Sequence, residues 1–178
     1  LVFDELCANF FMLSENRKII KKRKTPKKFN SQNSEFIIKN LPFKLTRSQI
    51  NVIEEINVDL LSSNRMFRII QGDVGSGKTI VSLLSMLNVI KSGYQCAFMS
   101  PTGILAQQHY ILSKKIFKNE NVKINLLTGK TDYKERKEIL NDLDIGKTHL
   151  LVGTHALFQK KIKFNKLGLV VIDEQHKF

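Results

Sequence analysis

The stretch GDVGSGKT, residues 72–79, constrains the fold of this 178-residue chain more than any other segment. It matches the pattern G-x-x-x-x-G-K-[ST] at every defined position. The apolar run FRII before it predicts a strand, and TIVSLLSML within and after its end predicts a helix. Glycines let backbone amides converge on a phosphate, and a helix N-terminus adds roughly half a positive charge. We therefore predict nucleotide binding, rather than a chance match in a flexible turn, by Gly72, Asp73, Val74, Gly75, Ser76, Gly77, Lys78 and Thr79.

Side chains of the loop and of one later segment are of the types that phosphate and Mg²⁺ require. Lys78 is expected to reach the β- and γ-phosphates, and the Thr79 hydroxyl to ligate Mg²⁺. Residues 169–172 are a continuous apolar run, which predicts a fully buried parallel strand. Asp173 follows it, where ligands bind in open α/β sheets, and would hold Mg²⁺ directly or through water. Glu174 would polarise the attacking water; the alternative for two adjacent acids is a helix N-cap.

From residue 41 onward, short apolar runs alternate with longer amphipathic segments. The runs FRII, QCAFMS, KINLL, HLLVG and GLVVID predict strands, and most of the segments between them predict helices. Parallel strands need crossover connections, so this alternation predicts an α/β fold with a mostly parallel sheet flanked by helices. Thr46 and Gln49 have the spacing of a capping box, which predicts a further helix before the glycine loop. Its apolar face contains Ile50, Ile53, Ile56 and Leu60, and Gly93 and Gly146 predict helix ends.

Basic residues are concentrated near the start of the chain. The formal net charge is +13, and residues 17–28, RKIIKKRKTPKK, hold eight basic residues and no acid. We predict a basic helical connector over residues 1–28 and a polar linker over 29–40, ahead of the α/β domain over 41–178. The basic block is either a solvated tail or a contact for DNA phosphates. The apolar stretches are shorter than the ~20 residues of a membrane helix, so we expect no membrane partner. Isolated cysteines favour a reduced, cytoplasmic location.

Five segments occur in the order and spacing of the motifs of superfamily 2 helicases: GDVGSGKT, SPTGILAQQH, LLTGK, VGTHALFQ and DEQHKF. Within that superfamily, residues 41–178 resemble the RecA-like ATP-binding domain of RecG-type DNA helicases, mainly through GTHALFQ and DEQH. The resemblance implies a bacterial helicase that uses ATP and Mg²⁺ to remodel branched or forked DNA. It also implies a wedge domain before this stretch and a second RecA-like domain after it, whose arginines would complete the ATP site.

The resemblance also implies roles for residues outside the glycine loop. Gln49 would read the edge of adenine and Phe43 would stack on the base, with the capping box as the alternative role of Gln49. Gln175 and His176 would couple the nucleotide site to the second motor domain, with a plain surface loop as the alternative. Six residues would line the DNA track, with ordinary strand-to-helix turns as the alternative: Pro101, Thr102, Thr128, Gly129, Thr154 and His155.

Some positions depart from the family pattern or carry little signal. Gly103 and Gln107 stand where the family usually has acidic residues. His109 and His149 have no metal-ligand spacing, which favours packing roles.

The same resemblance limits what this stretch should do alone. We expect it to bind Mg-nucleotide but hydrolyse it poorly, because an arginine supplied across such a cleft contributes roughly 10³–10⁵-fold in rate. Two other function classes stay open: a nucleotide-gated DNA-binding switch that does not unwind, and an RNA helicase of the same superfamily. A small-molecule kinase is a more distant alternative, since it has no need for GTHALFQ.

Overall fold

A four-stranded parallel sheet organises the fold in the computed structural model, which describes residues 38, 41, 43–159 and 161–177. The strands are β1 (Gln95–Met99), β2 (Ile124–Leu127), β3 (Leu150–Gly153) and β4 (Leu167–Ile172). They lie side by side in the order β2-β3-β1-β4, and every neighbouring pair is parallel. The predicted α/β architecture is therefore confirmed. The predicted connector and nearly all of the predicted linker lie outside the described residues.

Four α-helices accompany the sheet, and two of them join its strands. They are α1 (Arg47–Leu61), α2 (Lys78–Lys91), α3 (Gly103–Ile116) and α4 (Tyr133–Asp144), with 3₁₀ helices at His155–Phe158 and Gln175–Lys177. α2 is the central helix, because its residues 80–90 are all buried and it packs against α1, β1 and β4. A helix that is apolar on nearly all sides is expected to be buried. No helix among the described residues is long and apolar enough to cross a membrane.

Local sequence signals fix the ends of the helices. The predicted capping box at the start of α1 is present: Gln49 N donates to Thr46 Oγ1 (3.3 Å), and Thr46 N donates to Gln49 Oε1 (2.9 Å). The predicted apolar face of α1 is also confirmed, with Ile50 half-buried and Ile53, Ile56 and Leu60 buried. The predicted end glycines Gly93 and Gly146 have φ angles of +82° and +81°, which glycine adopts without strain.

The apolar run FRII is not a strand, contrary to the prediction. It forms no strand in the described structure, and Phe67 and Ile69 are 72% and 83% exposed. Arg68 holds the segment to α1, since its Nε donates to Asp59 (2.8 Å) and its Nη1 to Glu55 (2.6 Å). The hydrogen bond to Asp59 is the main cause that raises the pKa of Arg68 above its ordinary value. An apolar run becomes a strand only where a neighbouring strand pairs with its backbone groups.

Strand β4 is less buried than its sequence predicts. Among the described strands it pairs with β1 alone, so it lies at the edge of the sheet. Leu169 is buried, but Val170 and Ile172 are 44% and 40% exposed. The prediction of a fully buried strand over residues 169–172 is therefore wrong. A continuous apolar run predicts two covered faces, but whether both are covered depends on which elements pack there.

A buried glutamine at the start of β1 forms hydrogen bonds with the segments that lead into β3 and β4. Gln95 Nε2 donates to the carbonyl oxygens of Leu143 (2.9 Å) and Thr148 (2.8 Å). Its Oε1 accepts from Lys166 N (3.0 Å), and the side chain is buried with every polar group paired. Buried amides in this arrangement fix loops that would otherwise have unsatisfied backbone groups. The amino edge is thus occupied by structural contacts, and the predicted site residues lie at the opposite, carboxyl edge.

Candidate nucleotide site

The glycine loop, residues 72–79, curves tightly around its own lysine. Gly75 and Gly77 have φ angles of +81° and +84°, a region that glycine enters without strain. The Lys78 Nζ donates hydrogen bonds to the carbonyl oxygens of Gly72 (2.7 Å) and Asp73 (2.8 Å). The loop therefore presents an ammonium group at its centre, as a loop that holds phosphates would require.

The start of α2 is open to an anion. Gly77 is the N-cap residue, and no described side chain caps the helix. The first amides of α2 therefore lack the side-chain acceptor that helix starts normally have. A Cβ on Gly72 would lie 2.8 Å from Ser76 Oγ, so the serine side chain would have to move. Val74, at the tip, is fully exposed. Uncapped amides at an exposed helix start are suited to binding a phosphate group.

Two hydrogen bonds hold Asp173 at the carboxyl end of β4. Its backbone N donates to Met99 O (2.9 Å), and its Oδ2 accepts from His109 Nε2 (2.8 Å). The side chain remains 26% exposed, so the carboxylate is accessible to Mg²⁺ or to a metal-bound water. Thr79, the other predicted Mg²⁺ ligand, lies half-buried in the first turn of α2, which packs against β1 and β4.

Glu174 adopts an unusual backbone conformation. Its φ angle is +48°, in the left-handed region that costs a non-glycine residue on the order of 1–3 kcal/mol. Its Oε2 forms an ion pair with Lys177 Nζ at 2.5 Å. Strain of this kind recurs at active sites, where the surrounding structure maintains it. Glu174 would have to exchange Lys177 for a water molecule in the predicted role.

The metal-ligand set is small. Among the described residues, no group of three or more His, Cys, Asp or Glu side chains could hold a metal ion. Mg²⁺ commonly keeps several waters and takes one or two protein ligands together with phosphate oxygens. Thr79 and Asp173 are of the ligand types that such an ion takes, a hydroxyl and a carboxylate.

Gln49 closes the glycine loop against α1. Its Oε1 accepts from Thr46 N in the capping box, while its Nε2 donates to Ser76 O (2.9 Å). The contact is close, because a Cβ on Gly77 would lie 2.4 Å from Gln49 Nε2. The contact with Ser76 spans 27 positions and was not predicted from the sequence. Adenine recognition by Gln49 would require it to release one of these partners. Phe43, the predicted stacking partner, is 45% exposed.

The six predicted DNA-track residues lie at one edge of the sheet. The second and third pairs directly follow β2 and β3, and the first pair follows β1 after one intervening residue, Ser100. Because these parallel strands are neighbours in the order β2-β3-β1, the three turns form a row. The alternative turn roles are also present, since Thr102 Oγ1 accepts from Leu105 N (3.3 Å) and Thr128 Oγ1 from Lys130 N (3.2 Å). The row consists of Pro101 and Thr102, Thr128 and Gly129, and Thr154 and His155.

The predicted coupling residues, Gln175 and His176, fall in the 3₁₀ helix Gln175–Lys177 directly after the two acids. Gln175 is exposed. Their position beside the carboxylates agrees with either a coupling role or a surface loop. The coupling role stays a prediction.

The hydrogen bond between His109 and Asp173 was missed in the sequence. The packing role predicted for His109 is confirmed, since the residue is 7% exposed and its ring stacks on Phe98. Its partner Asp173 is 64 positions away, so no local pattern reveals it. A usable signal was the helical spacing of Ala106, His109 and Ser113, which turns all three toward the sheet.

Comparisons with known proteins agree with this geometry. The family model of the DEAD/DEAH box helicases matches residues 46–178. The ATP-dependent DNA helicase RecG of Aquifex aeolicus (strain VF5) is 46% identical over 181 residues, which covers 100% of this chain and 23% of that protein. The chain thus spans about a quarter of the length of this relative.

Solved structures show the same fold. The structure of RecG bound to a three-way DNA junction matches with a TM-score of 0.84 and 43% identity, covering 94% of this chain and 23% of that chain. A hypothetical ATP-dependent RNA helicase from Sulfolobus tokodaii matches with a TM-score of 0.60 and 21% identity, covering 83% of this chain and 42% of that one. At that identity the second likeness concerns the fold alone.

Proposed function

The chain belongs to the DEAD/DEAH box helicase family, and from this premise we propose that residues 41–178 form the ATP-binding, RecA-like domain of a RecG-type DNA helicase. The resemblance to RecG-type helicases is itself confirmed by relatives that match the whole chain. The observation that carries the proposal is the joint placement of the glycine loop and Asp173. The glycine loop leads into the central helix α2, and Asp173 directly follows β4, against which α2 packs.

Each residue of the site has a defined task in this proposal. The loop amides and the Lys78 ammonium group bind the β- and γ-phosphates of ATP, and Gln49 and Phe43 contact the adenine. Thr79 and Asp173 hold Mg²⁺, which when bound offsets negative charge on the phosphates. Glu174 accepts a hydrogen bond from the attacking water and orients it. The left-handed backbone of Glu174 supports this role, because strain of this kind recurs at active sites.

Branched DNA is the proposed partner of the whole protein. The solved RecG relative is bound to a three-way DNA junction, and its match covers nearly all of this chain. The row of turns after β1, β2 and β3 would contact DNA phosphates through backbone amides and hydroxyl groups. A second RecA-like domain would supply arginines to the ATP, and a wedge domain would engage the junction. The bacterial relatives support a bacterial cytoplasmic location, where such DNA is found.

The decisive experiment compares ATP turnover by this chain, with and without forked DNA, alongside Mg-ADP binding. We expect micromolar-range Mg-ADP binding with turnover far below that of the whole protein, because the arginines of the second domain are worth roughly 10³–10⁵-fold. Absence of any nucleotide binding would contradict the proposed site. DNA-stimulated turnover by this chain alone would contradict the need for a second domain.

The same assay on the whole protein separates the alternatives. A helicase displaces a strand from forked DNA only when ATP is hydrolysed. A nucleotide-gated switch would bind DNA with no strand displacement. An RNA helicase would be stimulated more by structured RNA than by branched DNA.

Adenine recognition by Gln49 is tested against its capping role. Gln49→Ala is expected to weaken ATP binding about tenfold and to reduce discrimination against GTP, because the amide contributes on the order of 1 kcal/mol through hydrogen bonding. Thr46→Ala is the matched control, since it removes the capping hydroxyl and leaves the Gln49 amide in place. Both variants should lose about 1 kcal/mol of folding free energy. Equal losses of ATP affinity in the two variants, measured by titration calorimetry, would assign Gln49 to capping alone.

A further inference from the structure

A buried histidine connects α3 to the proposed magnesium ligand. The His109 Nε2 lies 2.8 Å from Asp173 Oδ2, and its side chain is only 9% exposed. On the face of the ring, Phe98 of β1 stacks at a centroid distance of 4.5 Å and an angle of 19°. A carboxylate oxygen only accepts hydrogen bonds, so Nε2 carries the proton and donates it to Asp173. The imidazole is therefore fixed both by packing and by its hydrogen bond.

Both hydrogen-bond partners of Asp173 belong to one continuous segment of the chain, residues 99–109. Its backbone N donates to Met99 O, the last residue of β1, and its side chain accepts from His109, two turns into α3. The loop between Met99 and α3 contains Pro101 and Thr102, which we place on the DNA-facing edge. A single continuous stretch of chain thus carries the DNA-facing turn and both supports of the carboxylate.

We propose that His109 is a positioning residue: by donating to Oδ2 it orients the Asp173 carboxylate, which would hold Mg²⁺. His109 also ties this carboxylate to the helix that begins at the DNA-facing edge. The inference rests on the proposed function, since it requires Asp173 to act as a metal ligand. Hydrogen-bond partners of metal ligands fix the orientation of those ligands, and their loss typically weakens metal binding by 10–100-fold. A rotation of α3 at its DNA-facing start would then move the carboxylate that holds the metal.

Two substitutions separate the hydrogen bond from the packing. His109→Phe keeps a ring against Phe98 and removes the donor, whereas His109→Gln keeps a terminal N–H donor near the position of Nε2 and removes the ring. The measurement is the affinity of the ADP-loaded chain for Mn²⁺, followed by the electron paramagnetic resonance signal of free Mn²⁺. We expect His109→Phe to bind Mn²⁺ about tenfold more weakly and His109→Gln to recover most of that loss. ADP affinity in EDTA should be the same in all three proteins.

The outcomes distinguish this inference from the proposed function. Wild-type Mn²⁺ affinity in His109→Phe would overturn the positioning role while leaving the nucleotide site intact. Equal weakening in both variants would overturn it too, because packing alone would then explain the loss. A wild-type chain that binds no Mn²⁺-ADP would overturn the proposed site itself.

A measurement without substitution covers the case in which a variant does not fold. In the wild-type chain, Mg-ADP should shift the ¹⁵N resonance of His109 Nε2, because Mg²⁺ would draw electron density from the carboxylate that accepts the hydrogen bond of Nε2. His149 is the internal control, since its Nδ1 accepts from Lys123 N at the amino edge of the sheet. An unchanged His109 resonance in the presence of bound Mg-ADP would overturn the proposal.

Discussion

Replacing Lys78 with alanine is expected to weaken the binding of Mg-ATP and Mg-ADP by this chain at least ~100-fold, or about 2.7 kcal/mol. The Lys78 ammonium group lies inside the glycine loop, where it donates to the carbonyl oxygens of Gly72 and Asp73. A bound phosphate would replace these neutral acceptors with charged oxygens. Removing one partner of such a charge pair commonly costs about 2–5 kcal/mol. Fluorescence titration with a labelled nucleotide would measure the loss.

The control for Lys78 lies in the same helix. Lys91 ends α2 and pairs with Glu120 Oε2 (2.5 Å), away from the loop. Lys91→Ala should leave nucleotide affinity unchanged, because Lys91 lies at the end of α2 opposite the glycine loop and does not touch the site. Thermal unfolding of both variants would show that each retains its fold. Unchanged nucleotide affinity in Lys78→Ala would remove the site assignment.

Replacing Gly153 with alanine is expected to destabilise the fold by about 3 kcal/mol, the upper end of the usual cost of overpacking. A Cβ at this position would lie 2.2 Å from the carbonyl oxygen of Leu127 and 3.0 Å from the side chain of Leu157. Leu127 and Gly153 are the last paired residues of β2 and β3, so the two strand ends would have to separate. For a chain of this size, a loss of ~3 kcal/mol corresponds to a decrease of roughly 6–12 °C in Tm.

Gly103→Ala is the control for this steric argument. A Cβ on Gly103 would meet no atom within 4 Å, and the residue begins α3 in an ordinary helical conformation. Alanine there should be neutral or stabilising by up to ~1 kcal/mol, because it reduces the freedom of the unfolded chain. A Tm of Gly153→Ala equal to that of Gly103→Ala would contradict the close approach of β2 and β3.

Features that the sequence predicted correctly depend on neighbours along the chain. The start of α1 follows from Thr46 and Gln49, which are three residues apart and bond to each other. The curve before α2 likewise follows from glycines within one short loop. Such contacts form within a turn or two, so the residue types alone specify them.

Features that the sequence did not predict depend on which elements become neighbours in space. FRII and β4 have similar apolar runs, yet only β4 lies beside β1 and forms a strand. The contact of Gln49 with Ser76 spans 27 positions, and that of His109 with Asp173 spans 64. Spacing in a sequence carries no information on such pairs until the order of the strands is known.

The exposed edge of β4 affects how purified material behaves in storage. Among the described strands nothing pairs with its outer side, and Val170 and Ile172 are solvent-accessible beside it. An open apolar edge of this kind templates strand pairing between molecules, which begins as reversible association and can proceed to precipitation. The protein concentration and the storage time, rather than the free energy of unfolding, would then limit how long the purified chain stays in solution.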